Sequence, residues 1–91
     1  MALSVKIPTP LRSLTNDVDR VESDGDTVAA LVESLEAAFP GMKERLCEDS
    51  GELRRFVNVY VNGEDVRFLD GIATALGEND EISIVPAVAG G

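Results

Sequence analysis

The 91-residue chain contains no histidine and one cysteine, Cys47. The absence of histidine excludes Ser-His and Cys-His catalytic arrangements and His-ligated metal sites, so we expect no metal site. A lone cysteine cannot form an internal disulfide, which fits a reducing, cytoplasmic location. We interpret Cys47 as a packing residue, because no cationic residue stands directly beside it in the sequence to lower its pKa.

Tryptophan is also missing, and aromatic residues make up only 4% of the chain. The acidic residues outnumber the basic ones by 17 to 8, which gives a net charge of −9. Binding to phosphates requires lysine and arginine, and base stacking requires aromatic rings, so nucleic acids and anionic membranes are not expected partners. No apolar run approaches the roughly 20 residues that span a bilayer. The charge instead favours solubility and approach to basic protein surfaces.

The first half of the sequence contains one strong helix signal between weaker strand signals. Residues 3–7 alternate apolar and polar, which predicts a half-buried strand, and residues 18–22 predict a second one. A helix capped by Asp26 or Thr27 ends at Pro40-Gly41. Its apolar stripe, which we assign to the core, consists of Val28, Leu31, Val32, Leu35 and Phe39. A short helical turn over 42–46 and a polar loop over 47–52 follow.

The second half contains the strongest strand signal, over residues 56–61, followed by Asn62-Gly63, a type I′ hairpin signal. Its three valines share one face, which we place against the helix. Phe56, Asn58 and Tyr60 then lie on the outer face of the sheet, where exposed aromatics indicate a protein interface. The alternative is a cross-strand pair that stiffens the sheet.

The remaining patterns predict a strand over 64–68, a polar turn over 77–80 and a final strand with Ile82 and Ile84 inward. Leu69, Ile72 and Leu76 are interpreted as core positions around another turn. The predicted fold class is therefore α+β, with one main helix packed on one face of a mixed sheet of four to five strands. This domain spans residues 1–86.

The last five residues form a separate feature of the sequence, Ala87-Val88-Ala89-Gly90-Gly91. None is larger than valine, and glycine fits spaces that exclude a Cβ. We predict a flexible tail that presents the Gly91 carboxylate on a thin tip. The alternative is an incidental chain end, since termini are commonly poorly ordered and a Gly-Gly ending arises by chance in roughly 0.5% of chains.

The element order and several motifs resemble the ubiquitin-like β-grasp fold and, within it, the MoaD/ThiS family of sulfur carriers. The similarity covers nearly the whole chain, and the hairpin segment and tail are specific only in combination. Residues 55–62 and 86–91, together with the long loop over 47–53, are most similar to the branch that serves cysteine biosynthesis. The motifs that carry the resemblance are Gly25-Asp26-Thr27-Val28, Phe39-Pro40-Gly41-Met42, residues 58–65, residues 77–82 and residues 86–91.

The resemblance implies a chemistry in which this chain is a cosubstrate rather than an enzyme. An E1-like enzyme adenylates the Gly91 carboxylate with ATP, a sulfur donor displaces AMP, and a C-terminal thiocarboxylate results. A sulfur-acceptor enzyme, cysteine-synthase-like or other, then binds the tail and uses this sulfur. The resemblance thus implies that residues 87–90 bind partners, that Gly91 carries the reacting group, that the chain binds no cofactor itself, and that it is a monomer when free.

Other functions remain compatible with the same pattern. The chain resembles the small subunit of molybdopterin synthase in fold and tail, and the sulfur has other conceivable products. A ubiquitin-like modifier joined to lysines of target proteins requires the same activation of Gly91. A binding module that uses the face of Phe56 and Tyr60, with an incidental tail, is a third class.

Overall fold

The computed structural model describes residues 3–55 and 57–86, and within them the chain forms one mixed five-stranded sheet with helices on one side. The sheet order is β2-β1-β5-β3-β4, in which only β1 and β5 run parallel. This architecture confirms the predicted α+β class. The strands are β1 (Leu3–Lys6), β2 (Arg20–Ser23), β3 (Val57–Val61), β4 (Glu64–Asp65) and β5 (Glu81–Pro86), and the α-helices are α1 (Val28–Ala38) and α2 (Met42–Leu46).

Helix α1 begins at the predicted cap, because the Thr27 hydroxyl accepts a hydrogen bond from the Ala30 amide at 3.2 Å. The four predicted core residues within the helix are buried, and Phe39, just beyond its end, is half-buried against the core. Gly41 then adopts a left-handed conformation (φ 100°) that starts α2. The Glu36 carboxylate accepts from the amides of Gly41 and Lys43, so one side chain joins both helices.

The β3–β4 hairpin also follows its sequence signal. Asn62 and Gly63 both have positive φ (52° and 89°), as a type I′ turn requires. Val57, Val59 and Val61 are buried, as predicted. The Asn62 amide side chain donates to Asp80 and accepts from the Glu81 amide, each at 2.9 Å. The hairpin turn is therefore fastened to the turn that precedes β5.

The prediction of a strand over 64–68 is wrong beyond Asp65. The Asp65 carboxylate accepts from the Arg67 amide at 2.9 Å, and Val66–Phe68 forms a 3-10 helix instead. Since a short acidic side chain that bonds to the backbone favours a turn over a ladder, β4 stops after two residues. Leu69, predicted as core, is 43% exposed, whereas Leu76 is buried and Ile72 half-buried.

Further details concern residues 9–20 and the loop that follows α2. Leu11 and Leu14 lie in a 3-10 helix, Thr9–Thr15, that covers one edge of the core. The second strand begins at Arg20, so Val18 lies outside it and is exposed. Cys47 is buried, as expected of a packing residue, and bridges to Leu53, while the Glu48 amide bonds to the Glu52 carbonyl in the predicted polar loop.

Strand β5 occupies the centre of the sheet between β1 and β3. Ile82 and Ile84 are buried, as predicted, and Pro86 pairs with Val57 at the first position of β3. The chain therefore leaves the described part of the structure beside the start of β3. None of the helices in residues 3–55 and 57–86 has the length and apolar character of a membrane span.

Candidate functional site

The predicted site residues fall into two groups. Phe56 and the predicted tail, residues 87–91, lie outside the described residues, so their roles stay predictions. Asn58 and Tyr60 are described, and the structure places both on the outer face of β3, opposite the buried valines. The described part of the candidate site is the surface that surrounds the last residues of β5.

Tyr60 lies half-buried between two polar neighbours on this outer face. It stands opposite Ser83 of β5 and Asp65 of β4 in the sheet register. Tyr60 is thus neither a core residue nor a fully exposed one. This position leaves part of the ring accessible to a partner and part of it packed on the sheet, which allows both of the sequence-based interpretations of this face.

Asn58 lies closer to the point where the chain leaves β5. It stands opposite Val85, whose side chain is 44% exposed on the same face. The Asn58 side-chain oxygen accepts a hydrogen bond from the Arg67 guanidinium. Asn58 therefore has a structural role in holding Arg67, besides the partner-binding role predicted for it.

Arg67 connects the start of β3 to the 3-10 helix that follows β4, and sequence reasoning did not single it out. Its Nη2 atom donates to the carbonyls of Arg54 and Arg55, at 2.6 and 3.1 Å. Together with the bond to Asn58, these contacts hold the segment beside the last residue of β5. The contacts span 9 to 13 residues, and no local pattern predicts such long-range pairs.

Phe68 directly follows Arg67 and is the second residue that the sequence analysis did not assign to a site. Its side chain is 88% exposed, the highest value for a large apolar residue in the described part of the chain. The sequence signal was present but was interpreted as one position of a longer strand. Because the chain turns at Asp65 instead, the ring projects from a 3-10 helix.

The titratable groups of the described residues form no catalytic arrangement. Burial raises the pKa of the Cys47 thiol, and the partial opposing effects of Lys43 and Arg54 do not reverse this. A buried thiol with a raised pKa is a poor nucleophile, in agreement with the packing role inferred for it. Lys43 instead pairs with Glu33, which raises the pKa of its ammonium group. In residues 3–55 and 57–86 no cluster of cysteine and acidic side chains is suited to hold a metal ion.

The arrangement therefore consists of a rigid body that ends in a central strand, with an accessible surface around the exit of the chain. Such a body can position a C-terminal segment and can be recognised by another protein.

Comparison with known proteins gives relatives that are half identical to this chain. The chain is 50% identical over 93 residues to the sulfur carrier protein CysO of Mycobacterium tuberculosis, covering 100% of both chains. It is 50% identical over 72 residues to small archaeal modifier protein 3 of Haloferax volcanii, covering 79% of this chain and 76% of that one.

Among solved structures, the BexX/CysO complex of Amycolatopsis orientalis contains a chain similar to this one. The TM-score is 0.93 at 44% identity, over 99% of this chain and 100% of the other. This agreement confirms the ubiquitin-like β-grasp fold. The ThiS family model matches residues 5–91, and the chain belongs to the ThiS family.

Proposed function

We propose that this protein is a sulfur carrier whose Gly91 carboxylate is converted to a thiocarboxylate by an activating enzyme. The observation that carries the proposal is the full-length similarity to the sulfur carrier CysO, together with a family match that extends through Gly91. In this proposal the carboxylate oxygen attacks the α-phosphorus of ATP, and pyrophosphate leaves. A donor whose sulfur has the oxidation state of sulfide then attacks the acyl carbon through that sulfur, and AMP leaves with the electrons of the C–O bond.

The chain's own residues support this division of labour. A thiocarboxylic acid is ionised at neutral pH, so the carrier needs no general base, and the chain contains no histidine to act as one. The body contributes a stable strand, β5, from which the predicted tail continues. ATP and the catalytic groups belong to the activating enzyme.

We further propose that the sulfur is used for cysteine biosynthesis by a cysteine-synthase-like acceptor. The support is the similarity to CysO along the whole chain. In Amycolatopsis orientalis a similar CysO forms a complex with BexX, so a protein of this kind assembles with another protein. Molybdopterin or another thiolated product is the alternative destination of the sulfur.

The test is intact-mass spectrometry of the full chain after incubation with its activating enzyme, ATP and sulfide. The expected result is the mass increase that accompanies replacement of one oxygen by sulfur, absent when ATP is omitted. A matched variant that lacks Gly91 should keep the melting temperature and show no mass change. An unchanged mass for the full chain contradicts the carrier proposal. Full biological activity of the shortened chain favours a binding module with an incidental tail.

A second candidate function is supported by the similarity to small archaeal modifier protein 3. In this case the activated Gly91 carbonyl is attacked by a lysine amine of a target protein, which forms an isopeptide bond. Detection, after trypsin digestion of cell extracts, of lysines that carry residues 68–91 supports it, because Arg67 is the last trypsin site of the chain. If the protein is found only as the free chain and its thiocarboxylate, conjugation is excluded under those growth conditions.

A further inference from the structure

The most exposed large apolar side chain of the described residues belongs to Phe68, at 88%, and the next residue, Leu69, is also exposed. Single exposed apolar residues are common on protein surfaces. A phenyl ring that is almost entirely in water, next to a second apolar side chain, is less common and often marks an interaction site. We refer to these two residues as the Phe68–Leu69 knob.

A shallow groove of about 290 Å³ lies beside the knob. Its lining includes Leu53 and Ile72, which add apolar surface, and Glu52 and Asp70, which add acidic groups at its border. Arg67 also lines the groove, and its guanidinium donates hydrogen bonds to the carbonyls of Arg54 and Arg55. The knob and groove together present apolar surface bordered by two acidic side chains and by Arg67, whose guanidinium is engaged in hydrogen bonds within the chain.

The knob is held on a rigid support. Val66, the residue at the base of the 3-10 helix, is fully buried, and the Leu69 amide donates to its carbonyl at 2.9 Å. The Asp65 carboxylate caps the Arg67 amide, and the Arg67 guanidinium is fixed by three acceptors. Since the turn is fixed before binding, little backbone freedom is lost when a partner covers the ring.

The knob also lies at the end of the sheet where the chain leaves β5. Arg67 bonds to Asn58, Asn58 stands opposite Val85, and Pro86 stands opposite Val57. The 3-10 helix therefore flanks the origin of the predicted tail. A protein that receives the tail is in a position to contact the knob at the same time.

We propose that the Phe68–Leu69 knob is the anchor by which the activating enzyme recognises the folded body, through an apolar pocket with a basic border. The inference rests on the proposed function. The carboxylates of Glu52 and Asp70 and the net charge of −9 favour a basic border around the partner's pocket. The activating enzyme is the chosen partner because it meets an ordinary carboxylate, which any chain end offers, and must therefore select its substrate by the body. An acceptor enzyme meets a distinctive thiocarboxylate.

The experiment measures thiocarboxylate formation against carrier concentration for the full chain, Phe68→Ala, Phe68→Leu and Val18→Ala. Val18 is the matched control, since it is an exposed apolar residue (45%) beside β2, at the opposite edge of the sheet. Truncation of an aromatic anchor commonly weakens binding by about tenfold or more. We therefore expect Phe68→Ala to raise KM at least about tenfold with kcat unchanged, Phe68→Leu to restore part of the loss, and Val18→Ala to match the wild type.

The outcomes separate the two proposals. If the wild-type chain is not thiocarboxylated, the proposed function fails. If the wild type reacts and Phe68→Ala has the same KM, the carrier function stands and the anchor is refuted. Equal losses for Phe68→Ala and Val18→Ala also refute the anchor. Measurement of the melting temperature of each variant shows whether it is folded in the assay. We expect Phe68→Ala to leave the melting temperature unchanged, because the ring is almost fully exposed.

Discussion

At the scale of single residues, position 25 requires glycine because its loop approaches α1 closely. A Cβ at this position would lie 2.5 Å from the Leu31 amide nitrogen and 2.8 Å from its Cα. Both are backbone atoms of the helix, which cannot rotate away as the end of a side chain can. The sequence motif at the helix start therefore contains a glycine for a steric reason that only the folded structure reveals.

We expect Gly25→Ala to lower the free energy of unfolding by about 1–3 kcal/mol, because the loop or the helix must shift to admit the methyl group. Urea-induced unfolding measures the change. The matched control is Gly77→Ala, whose Cβ would lie 3.8 Å from an Asp80 carboxylate oxygen, an ordinary contact. If both variants are equally stable, the close approach of Gly25 to α1 has no energetic consequence.

Asp80 is a second residue for which the structure predicts an individual effect, here on the pH dependence of stability. Its carboxylate accepts from the Gly77 amide at 2.8 Å and from the Asn62 side chain, and these bonds lower its pKa below the usual 3.8. The unfolded chain then binds a proton at a higher pH than the folded chain does. This contribution to stability is present above the usual pKa and is lost as the pH falls through the folded-state pKa.

We expect the stability difference between the wild type and Asp80→Asn to shrink as the pH is lowered from 6 to below the usual pKa of 3.8. Chemical unfolding at several pH values gives the two curves. The difference at neutral pH should stay below about 1 kcal/mol, because the carboxylate is largely exposed to solvent. Parallel curves over the whole range would show that the hydrogen bonds to Asp80 do not favour its ionised form.

At the scale of elements, the Arg67 contacts join the start of β3 to the 3-10 helix after β4. We expect Arg67→Lys to lower the free energy of unfolding by about 1 kcal/mol, since a lysine keeps the charge but cannot reach several acceptors with one planar group. Thermal or urea unfolding measures the loss.

The exposed Arg45 of α2 provides the comparison for this effect. Arg45→Lys should change stability by less than about 0.5 kcal/mol, as surface substitutions usually do. A loss of the same size in both variants would mean that the bonds of Arg67 to Arg54, Arg55 and Asn58 are not the cause. The comparison is independent of any partner protein.

Elements that depend on local sequence patterns could be predicted, whereas features that depend on contacts between distant residues could not. The apolar stripe of α1, the valine alternation of β3 and the Asn62-Gly63 turn are local patterns, and each predicted its element. Residues 64–68 were also predicted as a strand, yet the Asp65 cap diverts the backbone after two strand residues. The bridge of Cys47 to Leu53 and the bonds of Arg67 to acceptors 9 to 13 residues away join residues that are not local neighbours. Sequence periodicity contains no signal for either.

For the candidate site, the sequence predicted the outer face of β3 and the positions of Asn58 and Tyr60 on it. It did not predict the Phe68–Leu69 knob, because Phe68 was assigned to a strand and Leu69 to the core. Whether a side chain is exposed depends here on where β4 ends. The end of β4 depends on whether the Asp65 carboxylate bonds to the backbone or the strand pairing continues. Composition alone does not decide between these two outcomes.

At the scale of the whole molecule, the net charge of −9 predicts how fast the protein meets a basic partner. Opposite charges accelerate diffusional encounter, and salt screens them over a Debye length of about 10 Å at 0.1 M. We expect the association rate constant with the activating enzyme to fall as ionic strength rises, while the dissociation rate constant changes less. Stopped-flow binding at several salt concentrations measures both, and an association rate constant that is independent of salt removes electrostatic steering.

The central place of β5 in the sheet has a mechanical consequence. A pull on the chain beyond Pro86 acts along a strand that is bonded to β1 on one side and to β3 on the other. Such a load strains many hydrogen bonds at once, whereas an edge strand can peel away one bond after another. A partner can therefore draw the C-terminal segment taut without unravelling the body to which it is attached.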